Sequence, residues 1–281
     1  CAIKSVKAQT MTDLEIIVIN DGSPDSTAEV LRPFIERGEI HYIEQPNAGQ
    51  AAARNRGLAK ATAKYVAFLD DDDWWPDDKL AWQVEFLKQH PAHVMVAGQA
   101  QIVRHDVVTD VRVGRGGAIA FEDLFSGSRL ISPGQALIRH DALVKVGGFD
   151  ESVWGADDWN LYFDLTQLGK IELIERPALY YRKHTGNASH QVQRMLQNGA
   201  RVAKQQAKHL PRGRRAQALR SAGRFLYDYR VGGEIAHAAN ALCSGSVQTA
   251  SRHIRNGRPA MGLVLRQPQA LKWIMRSILR G

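Results

Sequence analysis

Two cysteines in 281 residues, Cys1 and Cys243, are too few for a disulfide framework and fit a reducing compartment. No apolar stretch approaches the roughly 18 residues that a membrane-spanning helix needs, and no secretory signal is visible. No Gly-x-Gly-x-x-Gly follows a strand-like run and no Walker A sequence occurs. That removes the usual glycine loops for dinucleotides and nucleoside triphosphates. There is no fixed-period repeat and no low-complexity segment. The chain opens on Cys1 rather than Met and runs directly into a helix-like stretch, Ala2 to Gln9. The natural amino terminus is therefore expected upstream, together with any targeting segment it carries.

The net charge of +8 conceals an asymmetry. Residues 191–281 hold 17 Lys and Arg against 2 Asp and Glu, whereas residues 1–190 hold 20 against 27. An acidic globular domain, 1–190, thus precedes a basic and helical region, 191–281, and the two surfaces call for different partners. At this length the globular part can bury a substantial core.

Short apolar runs alternate with amphipathic ones. Leu14 to Ile19 is a near-continuous β-branched run that predicts a strand buried on both faces. Asn20-Asp21-Gly22-Ser23 reads as a turn, followed by a helix from Asp25 or Ser26 to Arg37 with Pro33 inside it. His41–Glu44, Tyr65–Leu69 and Val94–Val103 read as further strands, and Gln50–Lys60 and Lys79–His90 as helices. Ala136–Ile138, Ile171–Ile174 and Ala178–Tyr181 are short strands, with helices at His140–Val146 and Trp159–Leu168. Such alternation predicts an α/β domain with a mostly parallel sheet flanked by helices.

The chemistry concentrates at Phe68-Leu69-Asp70-Asp71-Asp72-Asp73-Trp74-Trp75, where an apolar run ends in four consecutive carboxylates. Like charges this close need a cation, a proton or water to coexist. If the segment is extended, Asp70 and Asp72 share a side and Asp71 points away. Two convergent carboxylates with open coordination positions suit Mg²⁺ or Mn²⁺ carrying a diphosphate. Most acidic runs are solvated loops, but this one lies at the carboxyl end of a strand, where open α/β sheets bind ligands. An EF-hand is excluded, because Trp75 replaces the loop glycine and Ala81 the bidentate glutamate.

Several segments in order resemble a family 2 glycosyltransferase of the GT-A (Rossmann-like) fold. They are Ser5–Thr10, Leu14–Asp25, Asn47–Gly57, Phe68–Asp73, Gly147–Glu151 and Asp157-Asp158-Trp159. The likeness covers about residues 1–190. It implies that a first strand, carrying a Pro and an aromatic contact to the base, belongs upstream of Cys1. Where the family has an acidic pair before Gly-Ser, this chain has Asn20-Asp21.

The resemblance implies transfer of a sugar from a nucleotide diphosphate to an acceptor hydroxyl with inversion, helped by a divalent metal, Mn²⁺ or Mg²⁺. Asp21 falls on the nucleotide base, although Asp-Gly-Ser is also ordinary turn chemistry. Arg54 falls on the donor, although a surface arginine would look the same. Asp70 falls on the ribose or a metal-bound water and Asp72 on the metal. Asp71 holds the variable middle position among the nucleotide-sugar contacts, and Asp73 orients its neighbours or caps the next segment. Asp158 falls on the general base, while either it or Asp157 can instead cap the following helix. Asp157, His184 and Trp74 are secondary candidates. For Trp74 and Trp75 a sugar platform competes with core packing. Gly147-Gly148-Phe149 reads as a tight turn, and Ser132–Gln135 as a lining of the sugar pocket.

The implied partners are a nucleotide-diphosphate sugar and a saccharide or lipid-linked acceptor, in cell-surface polysaccharide or lipopolysaccharide synthesis. The basic region fits peripheral attachment to the cytoplasmic face of an anionic membrane, most clearly at Ala270–Arg280, which is apolar on one side and basic on the other. A helical cap on the catalytic domain is the competing role; no nucleic acid is expected, since no recognition motif accompanies the charge. Two other readings of the whole chain stand against transfer: a sugar nucleotidyltransferase, and a non-catalytic carbohydrate-binding or scaffold protein of the same fold.

Overall fold

The computed structural model describes residues 2–104, 106–183 and 192–228. His184 and the stretch 229–281, with its Ala270–Arg280 segment, lie outside the described residues. Backbone contacts divide the chain into two compact units, Cys1–Leu124 with Ser128–Asn187, and Phe125–Gly127 with Ala188–Gly281.

The first unit begins with helix α1 (Ala2–Lys7), strand β1 (Ile17–Asp21), helix α2 (Thr27–Glu36) and strand β2 (His41–Gln45). β1 and β2 pair in parallel, from Ile17 opposite His41 to Asp21 opposite Gln45. Helix α3 (Gln50–Leu58) packs on β1. The strand expected at Leu14–Ile19 lies further along and is half-buried rather than buried on both faces. At the start of the run Leu14 N–H donates to Thr12 O, and the Glu15 side chain accepts from Thr62 N–H at 3.0 Å.

The larger sheet has six strands: β3 (Tyr65–Val66), β4 (His93–Arg104), β5 (Val107–Val113), β6 (Gly117–Ala118), β7 (Ala136–Arg139) and β8 (Lys170–Arg182). Their order is β3-β7-β4-β8-β6, with β5 also on β4. The α/β architecture is the expected one, but the sheet is mixed rather than mostly parallel. Among the described residues only β1–β2 and β4–β8 pair in parallel, and the other four strand pairings are antiparallel. The two strands expected at Ile171–Ile174 and Ala178–Tyr181 are one, β8, with a bulge where Gln99 faces Pro177. Proline donates no ladder bond and is tolerated at such an irregularity. Gly98 gives the bulge its room, since a Cβ there would lie 2.6 Å from both Ala178 Cβ and Arg176 O.

Helix α4 (Lys79–Gln89) covers β4 and β7, burying Leu80, Val84 and Leu87 against Val96, Ala100, Leu137 and Leu179. Each such side chain contributes about 1.5–3 kcal/mol of hydrophobic free energy. The same stretch grips three consecutive carbonyls. Trp75 Nε1 donates to Gly134 O at 2.9 Å, Gln83 Nε2 to Gln135 O at 2.9 Å and Lys79 Nζ to Ala136 O at 3.2 Å. Ser132–Gln135, expected to line a pocket, is instead packed away from solvent, with Ser132 capping the turn. Helices α5 (His140–Val146) and α6 (Asp157–Thr166) complete this unit. Gly148 closes α5 with its N–H on Leu143 O. Its φ is +75°, and a Cβ would meet Asn55 Oδ1 at 2.5 Å.

The second unit includes helices α7 (Val192–Gln206) and α8 (Arg212–Leu226). Val202, Ala203, Ala207, Leu210 and Ala222 are buried. α8 carries arginines at 212, 214, 215, 220 and 224 and no acidic residue. Among the described residues no helix is long and apolar enough to cross a membrane.

Two stability measurements follow. Gly148→Ala is expected to lose about 1–3 kcal/mol in urea denaturation, because alanine pays for the left-handed backbone and pushes on Asn55. Lys79 is fully buried, its ammonium 4.1 Å from the Trp75 ring centroid, and desolvation holds its pKa well below 10.5. The unfolded chain therefore binds this proton more tightly, and the stability due to Lys79 falls as pH drops below 10.5. Between pH 9 and 6, Lys79→Met is expected to lose less stability than wild type, measured as the difference in urea midpoint.

Candidate active site

β3 ends at Val66, and residues 67–70 run on without ladder partners to the acidic loop. The loop is a turn rather than an extended strand, closed by Asp73 N–H on Asp70 O at 3.2 Å. The alternation argued for an extended segment therefore does not apply as geometry, yet the exposures do alternate. Asp71 is exposed, Asp70 and Asp72 are half-buried, and Asp73 is fully buried.

Helix α3 meets the loop from one side. Arg54 Nη2 donates to Asp70 Oδ1 at 2.8 Å and Nη1 to Asp157 Oδ2 at 3.1 Å. Its side chain is 10% exposed, and the guanidinium lies 5.4 Å from the Phe149 ring centroid. Burial alone would lower the Arg54 pKa, but the charges of Asp70 and Asp157 outweigh it and the net shift is upward. Arg54 is thus not a surface arginine but a bridge from the acidic loop to Asp157. One turn earlier, Gln50 Nε2 donates to Asp157 Oδ1 at 2.9 Å, which also accepts Gly155 N–H at 3.0 Å. Asn55 is locked reciprocally to Phe149: its Oδ1 accepts Phe149 N–H at 2.8 Å and its Nδ2 donates to Phe149 O at 2.9 Å.

β8 meets the loop from the other side. Arg182 N–H donates to Asp73 Oδ1 at 2.9 Å and Arg182 Nε to Asp72 O at 3.1 Å. Trp74 and Tyr180 exchange backbone bonds and stack at 5.4 Å, and the Arg182 guanidinium lies 5.1 Å from the Trp74 centroid. Trp74 is therefore held among protein groups, and Trp75 is core. Among the described residues, Asp73 Oδ2 is buried without a hydrogen-bond partner. Desolvation pushes its carboxyl up to about 8; the Arg182 N–H opposes this, and the charges of Asp72 and Asp70 add to it. The Asp71 carboxyl is also raised, by desolvation first and then by Asp72.

Asp157 and Asp158 occupy the first turn of α6, where the positive end of the helix favours negative charge. The structure divides them: Asp157 is 0% exposed and engaged by three donors, whereas Asp158 is half-buried and accepts Trp159 N–H at 2.7 Å. Asp21 closes the loop ahead of α3, accepting from Gln45 Nε2, Ala48 N–H and Gly49 N–H, each at 2.8 Å. The turn chemistry that competed with a base contact for Asp21 falls instead to Asn20, which accepts Ser23 N–H. Sequence reasoning missed Gln50, Asn55, Phe149 and Arg182. The i, i+4 spacing of Gln50 and Arg54 was available as a signal, whereas nothing local marks Arg182.

The oxygen donors of this loop suit a hard divalent cation. Among the described residues no group of three or more His, Cys, Asp or Glu side chains stands ready to hold an ion. Such an ion would take only part of its coordination from protein, in keeping with Asp70 already sharing one oxygen with Arg54.

The fold resembles solved structures of S. aureus TarS. The 1–349 form in complex with UDP superposes with a TM-score of 0.63 at 15% identity, covering 92% of this chain and 85% of that one. In sequence, the chain is 34% identical over 198 residues to an uncharacterized glycosyltransferase of Nostoc, covering 66% of this chain and 61% of the relative. It is 32% identical over 124 residues to TuaG of Bacillus subtilis, a glycosyltransferase named for a proposed part in teichuronic acid biosynthesis, covering 43% and 49%. The chain therefore spans less than two thirds of these relatives' length. The glycosyl transferase family 2 model matches residues 2–147, and the chain belongs to that family.

Proposed function

We propose that this glycosyltransferase moves a sugar from a nucleotide diphosphate to an acceptor hydroxyl with inversion, in the synthesis of a cell-surface polysaccharide or lipopolysaccharide. The observation that carries the reading is the junction of the four-carboxylate loop with the start of α6 through Arg54, which sets candidate metal and base residues on one frame. Residues 1–190 hold this machinery. The relative TuaG supports the polysaccharide setting, and the TarS structure in complex with UDP-GlcNAc supports trying a uridine donor first.

In this reading Asp158 accepts the proton of the acceptor hydroxyl as its oxygen attacks the anomeric carbon. The carbon–oxygen bond to the diphosphate breaks on the opposite face, and the diphosphate departs with the electron pair. Proton transfer of this kind requires a positioned carboxylate more than a strong base. Asp72 would hold a divalent ion, Mg²⁺ or Mn²⁺, which when bound stabilises negative charge on the leaving diphosphate. Asp70, Asp71 and Asp21 border the nucleotide; Asp21 does so while shaping the Gln45–Gly49 loop. The arginine-rich α8 supports peripheral attachment of the basic region to the cytoplasmic face of an anionic membrane.

Calorimetric titration of UDP, GDP and TDP with and without Mn²⁺ tests the reading. Metal-dependent binding of one diphosphate is expected and identifies the donor's base. Absence of binding by all three to folded protein would favour a scaffold role. Asp72→Asn should abolish transfer and weaken metal-dependent diphosphate binding. Asp158→Asn should lower transfer by about 10²–10⁴-fold and leave that binding nearly intact. Equal transfer by wild type and Asp158→Asn would remove the base assignment.

A further inference from the structure

We infer that Arg54 is a positioning residue: it spans from the acidic loop to the start of α6 and so fixes the separation of Asp72 from Asp158 before substrate arrives, without itself binding the donor. The inference rests on the transferase reading above. Three observations carry it.

First, the two terminal nitrogens are divided between two carboxylates on different elements, Nη2 to Asp70 at 2.8 Å and Nη1 to Asp157 at 3.1 Å. Asp70 stands two residues before Asp72, and Asp157 immediately before Asp158. A rigid link between the first members of these pairs constrains the second members. Second, the Asp157 end of the link is dry and braced. Asp157 is 0% exposed, with its other oxygen taken by Gln50 and Gly155 N–H. The guanidinium rests near Phe149, and the adjacent Asn55 is bonded both ways to the Phe149 backbone. Low dielectric strengthens each of these polar contacts. Third, at 10% exposure and with both ends engaged, the side chain has little surface left to offer a sugar or a phosphate.

Lysine places a single point charge and cannot bridge two carboxylates with a planar fork. Arg54→Lys therefore keeps the charge but loses the two-ended link. Misplacement of reacting groups by about 1 Å costs on the order of 10²-fold in rate. The test uses the full chain with Mn²⁺, titrating UDP and following release of UDP from UDP-N-acetylglucosamine, with GDP and GDP-mannose as the second pair. Arg54→Lys and Asp157→Asn are each expected to lower kcat by on the order of 10²-fold. For Asp157→Asn, which leaves the Arg54–Asp70 bond in place, KM for the sugar nucleotide and the Kd of the diphosphate should stay within about threefold of wild type, the signature of an interaction expressed in the transition state. The double variant should lose no more than either single one, because both break one link.

A rise in KM and Kd with kcat unchanged would make Arg54 a donor contact and overturn the inference. Additive losses in the double variant would also overturn it. Wild type that neither binds nor turns over either pair while folded would instead remove the transferase reading, and the inference with it.

Discussion

A buried guanidinium between two carboxylates is the constraint on which the site depends. Burying the Arg54 and Asp157 charges costs several kcal/mol per ion before any attraction is counted. Arg54 offsets that cost by answering Asp70 and Asp157 together, while Gln50 and Gly155 N–H complete the demands of Asp157. The arrangement is poorly replaceable in parts, because removing the cation leaves Asp157 charged and fully buried. It also ties function to fold. α3 must sit on β1 at the right height, the Gln45–Gly49 loop must be closed by Asp21, and Gly148 must leave room for Asn55.

The acidic loop is thus held from two directions by different means. From α3 it is held through a side chain on Asp70. From β8 it is held through main chain: Arg182 N–H on Asp73, Arg182 Nε on Asp72 O, and the paired backbones of Trp74 and Tyr180. Pro177 and its bulge lie between the two halves of β8, so the half that grips the loop is offset in register from the half that pairs with the beginning of β4. Gly98 permits that offset. A site residue in the acidic loop therefore depends on a glycine and a proline on neighbouring strands, neither of which touches it.

Much of the plan was legible in the chain because local chemistry set it. The alternation of apolar runs and amphipathic stretches marked α2, β2, α3, α4, β4, β7, α5 and α6 to within a few residues, α5 with its expected bounds, but left β5 and β6 unmarked. What was not legible arises from long-range pairing. Parallel and antiparallel neighbours present the same apolar run, so Ala136–Arg139 carries no mark of pairing antiparallel to both β3 and β4. Asp21 reads as turn chemistry in sequence because its real partners, Gln45, Ala48 and Gly49, are more than twenty residues away. Arg54 looks like any helical arginine until α6 is folded beside it. Asp157 and Asp158 were indistinguishable by type, and only burial separates the anchor from the half-exposed carboxylate.

Four adjacent carboxylates posed the first question of this sequence, and the folded chain answers it unevenly. Asp70 has a cation, Arg54. Asp71 has water, being exposed. For Asp73, burial lifts the carboxyl to about 8 and so favours its protonated form. That proton carries a consequence for stability. As pH climbs from 3.8 toward 8 the unfolded chain releases it and the folded chain keeps it, so this group's contribution to stability declines over that window. The loop therefore tolerates crowding by answering charge at Asp70 and disfavouring it at Asp73, its two ends. Asp72, half-buried and held by its own carbonyl to Arg182, lies between them. A divalent ion bound there with a diphosphate would complete the neutralisation that Arg54 and the burial of Asp73 begin, which is why donor and metal are expected to bind as one unit.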